Sequence, residues 1–206
     1  ASANGLRLMN HRPVALGMLA VSVFFMGQFM LFTYLRPFLE GVTRASVSTL
    51  SLMLLVLGLA GLAGTFLIER FLKNHLYATL TVIPVLMALT AVALVAFGGS
   101  SLITAMLLGV WGLVATAAPV GWWTWLAKVL PDDAEAGGGL MVAIIQLAIA
   151  LGAIVGGWVF DLSGYRATFE SSAAVLSAAA LLAWLAGRAS HYRALSMICP
   201  PSGVRL

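Results

Sequence analysis

Apolar residues in this chain do not alternate with polar ones. They run in six continuous stretches, at 14–35, 47–67, 76–97, 101–125, 138–160 and 170–187, with the charged and polar residues gathered between them. Alternation would mark membrane strands with one face to lipid; an unbroken apolar run marks a helix surrounded by hydrocarbon. A helix rises about 1.5 Å per residue, so stretches of about 18 to 25 residues each cross a hydrocarbon core of roughly 30 Å. The pattern predicts an all-α membrane protein with six transmembrane helices in one bundle over 14–190. Residues 1–13 read as a cytoplasmic leading segment. Residues 191–206, basic and then Cys199-Pro200-Pro201-Ser202-Gly203, read as a disordered cytoplasmic tail.

Composition sharpens this picture. Of 206 residues, 9% are charged and 62% hydrophobic, whereas a soluble domain carries about 25% charge. The net charge of +4 is scattered over loops and tails, which argues against nucleic acid as a partner and leaves the lipid bilayer. Six spans put both termini on one side, together with the loops after the second and fourth spans. That side holds Arg7, Arg12, Arg70, Lys73, Lys128, Arg188, Arg193 and Arg205, against Arg36, Arg44 and Arg166 on the other. Cytoplasmic loops of membrane proteins are enriched in Lys and Arg. The termini are therefore expected in the cytoplasm, in a multi-pass membrane protein.

The single Cys199 lies in the tail, and His11, His75 and His191 lie in loops or tails. Neither a thiolate metal site nor a disulfide framework is expected. With no Ser-His pair, metal-ligand cluster or carboxylate pair at membrane depth, the sequence predicts no enzyme and no cofactor. What remains is passage of a small molecule through the membrane.

The stretches fall into two groups of three, the arrangement of transporters built from repeats. Gly58, Gly61 and Gly64, with Ala60 and Ala63, line up in the second stretch, and Gly152 and Gly156 form a G-x-x-x-G pair in the fifth, followed by Gly157. Small residues let helix backbones approach where lipid gives no hydrophobic drive, so these glycines are read as helix packing. Pro119 removes a backbone hydrogen bond inside the fourth stretch and predicts a kink. Asp132 with Glu135 resembles a capping box that starts the fifth helix.

Polar side chains at membrane depth are costly and hence candidates for function. Gln28, near the middle of the first stretch, and Gln146, in the first half of the fifth, can each pair hydrogen bonds with a planar heterocycle, and neighbouring rings could stack on it. Tyr34 and Trp122 complete the expected substrate-binding set. The competing reading of the two glutamines is an interhelical hydrogen bond, and that of Trp122, Trp123 and Trp125 an interfacial aromatic belt. Arg36 at the outer end of the first stretch, and Glu69, Arg70 and Lys73 in the turn after the second, are read as gating or helix-end residues. A proton-coupled antiporter needs a titratable group within the membrane, and none lies well inside these stretches.

Three blocks of sequence resemble a known family. Gly27-Gln28-Phe29-Met30-Leu31-Phe32-Thr33-Tyr34-Leu35-Arg36-Pro37 resembles the seventh helix of the drug:proton antiporters of the major facilitator superfamily. Trp111-Gly112-Leu113 with Pro119-Val120-Gly121-Trp122 and Thr124-Trp125 resembles the tenth, and Gln146-Leu147-Ala148 through Gly152-Ala153 and Gly156-Gly157 to Asp161 the eleventh. Within that family the likeness is to bacterial purine ribonucleoside efflux and sugar-efflux transporters, and it covers about residues 7–190. The family's cytoplasmic signature is reduced here to Glu69-Arg70 and Lys73 within 65–74.

The resemblance implies the C-terminal six-helix half of a twelve-helix transporter that exports a small polar or amphiphilic solute, such as a purine nucleoside, sugar or drug, by proton antiport. It implies protons as coupling ion and an N-terminal six-helix half as partner, carrying the proton-binding acid. A start at Ala1-Ser2-Ala3 without Met agrees with a fragment or processed chain. The alternatives are a self-contained six-helix protein that transports as a homodimer, pairing with a second copy, or a membrane scaffold that transports nothing.

Overall fold

Away from water a peptide group must bond within its own chain, and a continuous apolar run does so as a helix. The computed structural model describes residues 12–198, with side-chain surroundings for residues 12–190, and within these bounds it is helical without strands. Five helices follow in order: α1 (Arg12–Phe32), the short α2 (Leu35–Gly41), α3 (Val47–Phe97), α4 (Ser101–Val129) and α5 (Ala134–Ile198). Four helical stretches are long and apolar enough to cross a membrane, α1 with α2 counting as one.

The boundaries differ from the sequence pattern in instructive ways. The first apolar stretch was expected to run to residue 35, yet α1 ends at Phe32 and the chain turns through Thr33 and Tyr34 before α2 resumes. Pro37 falls in the first turn of α2, where its missing N–H would have no helical partner in any case. At the other ends helix overruns the apolar runs: α4 reaches Val129 and α5 begins at Ala134. Polar residues beyond a hydrophobic run can continue a helix once water satisfies their side chains. The residue before α5 is thus Asp133, whose carbonyl accepts from Gly137 N at 2.9 Å, rather than Asp132. Similarly, α5 continues to Ile198 through residues 191–198, part of the stretch expected to be a disordered tail; 199–206, with Cys199, lie outside the described residues. The leading segment 1–11 lies outside them as well.

Two helices bend. In α3 the bend is at His75 (φ −134°, ψ 40°), and in α5 at Gly164 (φ 78°, ψ −177°). The conformation of Gly164 is one that side chains with a Cβ essentially never adopt, so glycine is what allows α5 to turn there. Ser46 caps α3, its Oγ accepting from Thr49 N at 3.3 Å. Prolines occur inside α3 (Pro84, buried) and α4 (Pro119), and α4 runs on through Pro119 from Ser101 to Val129. α3 likewise runs on through Pro84 to Phe97.

The helices pack in two principal pairs, α1 against α5 and α3 against α4, joined by further contact between α3 and α5. The core is apolar and aromatic, with Phe24, Phe38, Trp111, Trp125 and Phe169 fully buried. Leu52, Phe66, Leu102, Ile154, Trp158 and Leu162 point outward and are exposed. An apolar exterior of this extent suits lipid, not water.

Candidate functional site

The α1–α5 seam is set by glycines. A Cβ on Gly152 would meet the backbone of Met26, and one on Gly156 the backbone of Met30 (3.1 Å to Cα in each case). Both pairs advance by four residues in the same direction, so the first part of α5 runs parallel to α1 in backbone contact. The side chain of Tyr34 closes this seam. Its hydroxyl donates to Ala153 O at 2.9 Å, lies over Gly157, and its ring stacks on Phe160 at 5.2 Å with the planes 22° apart. On the other side of α1, Ser172 donates to Gly27 O at 2.6 Å in a buried contact. α1 is therefore clasped by α5 before and after the bend at Gly164.

The α3–α4 seam follows the same rule. Gly64 abuts the backbone of Leu113, Gly112 that of Leu57, and Gly61 lies against Thr116. Thr116 Oγ1 is 2.8 Å from both Gly61 O and Gly112 O, so one hydroxyl bridges the two helices. Gly58, read with Gly61 and Gly64 as one strip, faces open space. One end of the bundle is tied by Thr43, which donates to Gly98 O at 2.8 Å, and the opposite end by Tyr77 Oη and Ser190 Oγ, 2.6 Å apart. Thr116, Ser172, Thr43 and the Tyr77–Ser190 pair were not anticipated. A hydroxyl in an apolar stretch is too common for sequence alone to show which one reaches another helix.

The two glutamines sit apart. With Met26 level with Gly152 and the helices parallel, Gln28 lies about 12 Å further along the bundle than Gln146, from the helical rise. Gln28 is half-buried, and its Oε1 is buried without a hydrogen-bond partner. Gln146 is exposed on α5. Neither makes the interhelical hydrogen bond that was the competing reading. Trp122 is 2% exposed, with its ring 5.9 Å from Trp125 (82°) and 6.4 Å from Phe24 (51°). Trp125 in turn covers Gly17 of α1. These two tryptophans belong to the core, whereas Trp123 is 43% exposed. The indole Nε1 atoms of Trp111 and Trp125 are buried without partners.

Arg36 Nε donates to Glu40 Oε1 at 2.8 Å, one turn along α2, and both side chains are exposed. Glu69 and Arg70 are exposed just ahead of the bend at His75. Glu69 borders a groove with Lys73 and Lys128, while Pro119 is half-buried inside α4. Among the described residues, no three His, Cys, Asp or Glu side chains are grouped so as to hold a metal ion.

No family model matches the chain. It is similar to the transcription regulatory protein OpdE of Pseudomonas aeruginosa, 57% identical over 181 residues, which are 88% of this chain and 45% of that protein. It is also similar to the purine ribonucleoside efflux pumps NepI of Shigella sonnei and Salmonella paratyphi B, each 36% identical over 179 residues, 87% of this chain and 45% of the pump. These names are those of efflux pumps and a regulatory protein, not of enzymes. The chain is thus similar to efflux pumps and to a protein named for transcription regulation, has apolar helices suited to a membrane, and spans about 45% of the length of the curated relatives it matches.

Proposed function

We propose that the chain is the C-terminal six-helix half of a twelve-helix efflux transporter of the major facilitator superfamily. The observation that carries this is the 36% identity to purine ribonucleoside efflux pumps over 87% of the chain, at under half the pumps' length. Helix length supports the count of six. The 51 residues of α3 would span about 76 Å if straight, and the 65 of α5 about 98 Å. Each is more than twice a hydrocarbon core of about 30 Å. Each bends once, at His75 and Gly164, so each divides into two crossings.

In this reading the protein lies in the bacterial inner membrane with both termini cytoplasmic. A small polar or amphiphilic solute, a purine nucleoside being the leading case, is held near the bilayer midplane between this bundle and the other half. Gln28 carries the recognition, because its buried unpaired oxygen is ready to accept from a solute N–H and otherwise lowers stability. Gln146 adds a second contact at another depth. Tyr34 and Trp122 join them when the α1–α5 seam rearranges between inward- and outward-open states. Arg36, Glu69 and Arg70 act at the two ends of the pathway, and Pro119, Gly152 and Gly156 shape the moving helices. Protons enter through an acid of the other half.

The test is export from cells making the full-length protein and loaded with a labelled purine ribonucleoside. Faster appearance of label outside than in vector controls, abolished by a protonophore, is the expected result. Correctly inserted protein with no export above control overturns the proposal.

The 57% identity to a protein named for transcription regulation favours a second reading, in which this bundle senses a solute and affects gene expression indirectly. Regulation of a reporter in cells where export is absent would select it.

A further inference from the structure

Where α3 approaches its bend at His75 it lies beside the last turns of α4, and the two leave an open groove of about 460 Å³ between them. It is lined by Glu69, Leu72 and Lys73 of α3 and by Val120, Thr124 and Lys128 of α4. The ion pair found among the described residues is Arg36–Glu40, so Lys73 and Lys128 border the groove with no carboxylate bonded to either. Thr124 donates its hydroxyl proton to Val120 O at 2.8 Å, leaving its oxygen as an acceptor. The groove therefore offers two ammonium donors and two acceptor groups, the Glu69 carboxylate and the Thr124 oxygen, around an apolar wall of Leu72 and Val120. Its formal charge, two lysines against one glutamate, is +1.

We propose that this groove binds the headgroup of an anionic phospholipid of the phosphatidylglycerol type. Lys73 and Lys128 hold the phosphate, and Glu69 with Thr124 accepts from the headgroup hydroxyls. A phosphodiester carries one negative charge and matches the groove, whereas a phosphomonoester approaches two. The surroundings favour lipid over a soluble phosphate. Phe66 (73% exposed) precedes Glu69 by three residues and Lys73 by seven, so it lies on the same face of α3 and gives acyl chains an apolar surface beside the charged site. Trp123, 43% exposed, and Lys128 both fall within the last seven residues of α4, the composition usual at the membrane–water boundary. The proposal rests on the chain spanning a membrane and not on transport, so it stands or falls without reference to export.

The experiment is native mass spectrometry of the full-length protein in detergent, titrated with dioleoyl phosphatidylglycerol. One tightly retained lipid is expected. The double variant Lys73→Gln/Lys128→Gln should weaken its retention roughly thirtyfold, from the usual contribution of two lysines at an anionic surface. Lys73→Arg/Lys128→Arg, which keeps both charges, should keep it. Phosphatidylcholine, which has no headgroup donor, should bind at least about tenfold more weakly, the loss of roughly one charged hydrogen bond. Equal retention by wild type and a monodisperse Gln/Gln variant overturns the proposal. So does displacement of the lipid by millimolar glycerol phosphate, which would make a soluble phosphate the ligand.

Discussion

The hydroxyl of Tyr34 donates to the carbonyl of Ala153, 119 residues away, at 2.9 Å. The bond forms because Gly157 has no side chain to occupy the place where the phenol lies. One tyrosine, one carbonyl and two successive glycines thus lock the C-terminal end of α1 onto α5.

Removing only the hydroxyl, in Tyr34→Phe, should keep the stack on Phe160 and cost about 0.5–1.5 kcal/mol, the net worth of one hydrogen bond. Gly157→Ala should cost more, because the new methyl collides with that oxygen. The double variant should recover part of the loss, since the oxygen is gone. Thermal unfolding of all three in detergent measures the coupling; strictly additive losses would show that Tyr34 does not sit over Gly157.

Glycines of the α3 strip should divide by position. Gly58→Ala, facing open space, should be neutral or stabilising by up to about 1 kcal/mol, the difference in helix propensity. Gly64→Ala and Gly112→Ala drive a methyl into the backbones of Leu113 and Leu57 and should each cost about 1–3 kcal/mol. Denaturation midpoints that fail to separate these classes would place the helices in another register.

Gly164→Ala isolates a backbone effect. Nothing lies within 4 Å of the position a Cβ would take, so crowding is absent, yet φ 78° with ψ −177° is nearly closed to alanine. A loss of about 1–3 kcal/mol is expected from strain alone. An unchanged melting temperature would mean that the bend does not need this conformation.

The glutamines should separate function from stability. Gln28→Leu removes a buried unpaired oxygen, so stability should hold or rise by about 1 kcal/mol while export falls. Gln146→Leu changes an exposed side chain and should abolish export with expression intact. Efflux assays beside expression levels in membranes decide this; unchanged efflux for either variant removes that residue from the pocket.

Long helices, their apolar exteriors and their approximate limits were legible in the linear pattern. Hydrocarbon acts on a chain locally, demanding apolar side chains and internally bonded backbone over each crossing. Gly61, Gly64, Gly152 and Gly156 could likewise be read as packing positions, because close helix approach needs small residues whichever partner is met. The partners themselves were not legible. Gly58 has the same spacing as Gly61 but faces nothing, and Trp122 and Trp125, which look like members of an interfacial belt, are core residues packed against Phe24 and Gly17. Which face of a helix turns inward depends on residues far along the chain, from 55 positions for Gly61 and Thr116 to 145 for Gly27 and Ser172. In an apolar stretch with no polar face, nothing in the local sequence encodes that rotation. So the sequence by itself determined that this chain makes membrane-length helices, and roughly where they begin and end. Only the tertiary structure decided that Tyr34 closes a seam, that Gln28 is left buried and unpaired, and that Lys73 and Lys128 border one groove. Each of those facts is set by long-range packing, in which a single missing Cβ decides how near two backbones can come.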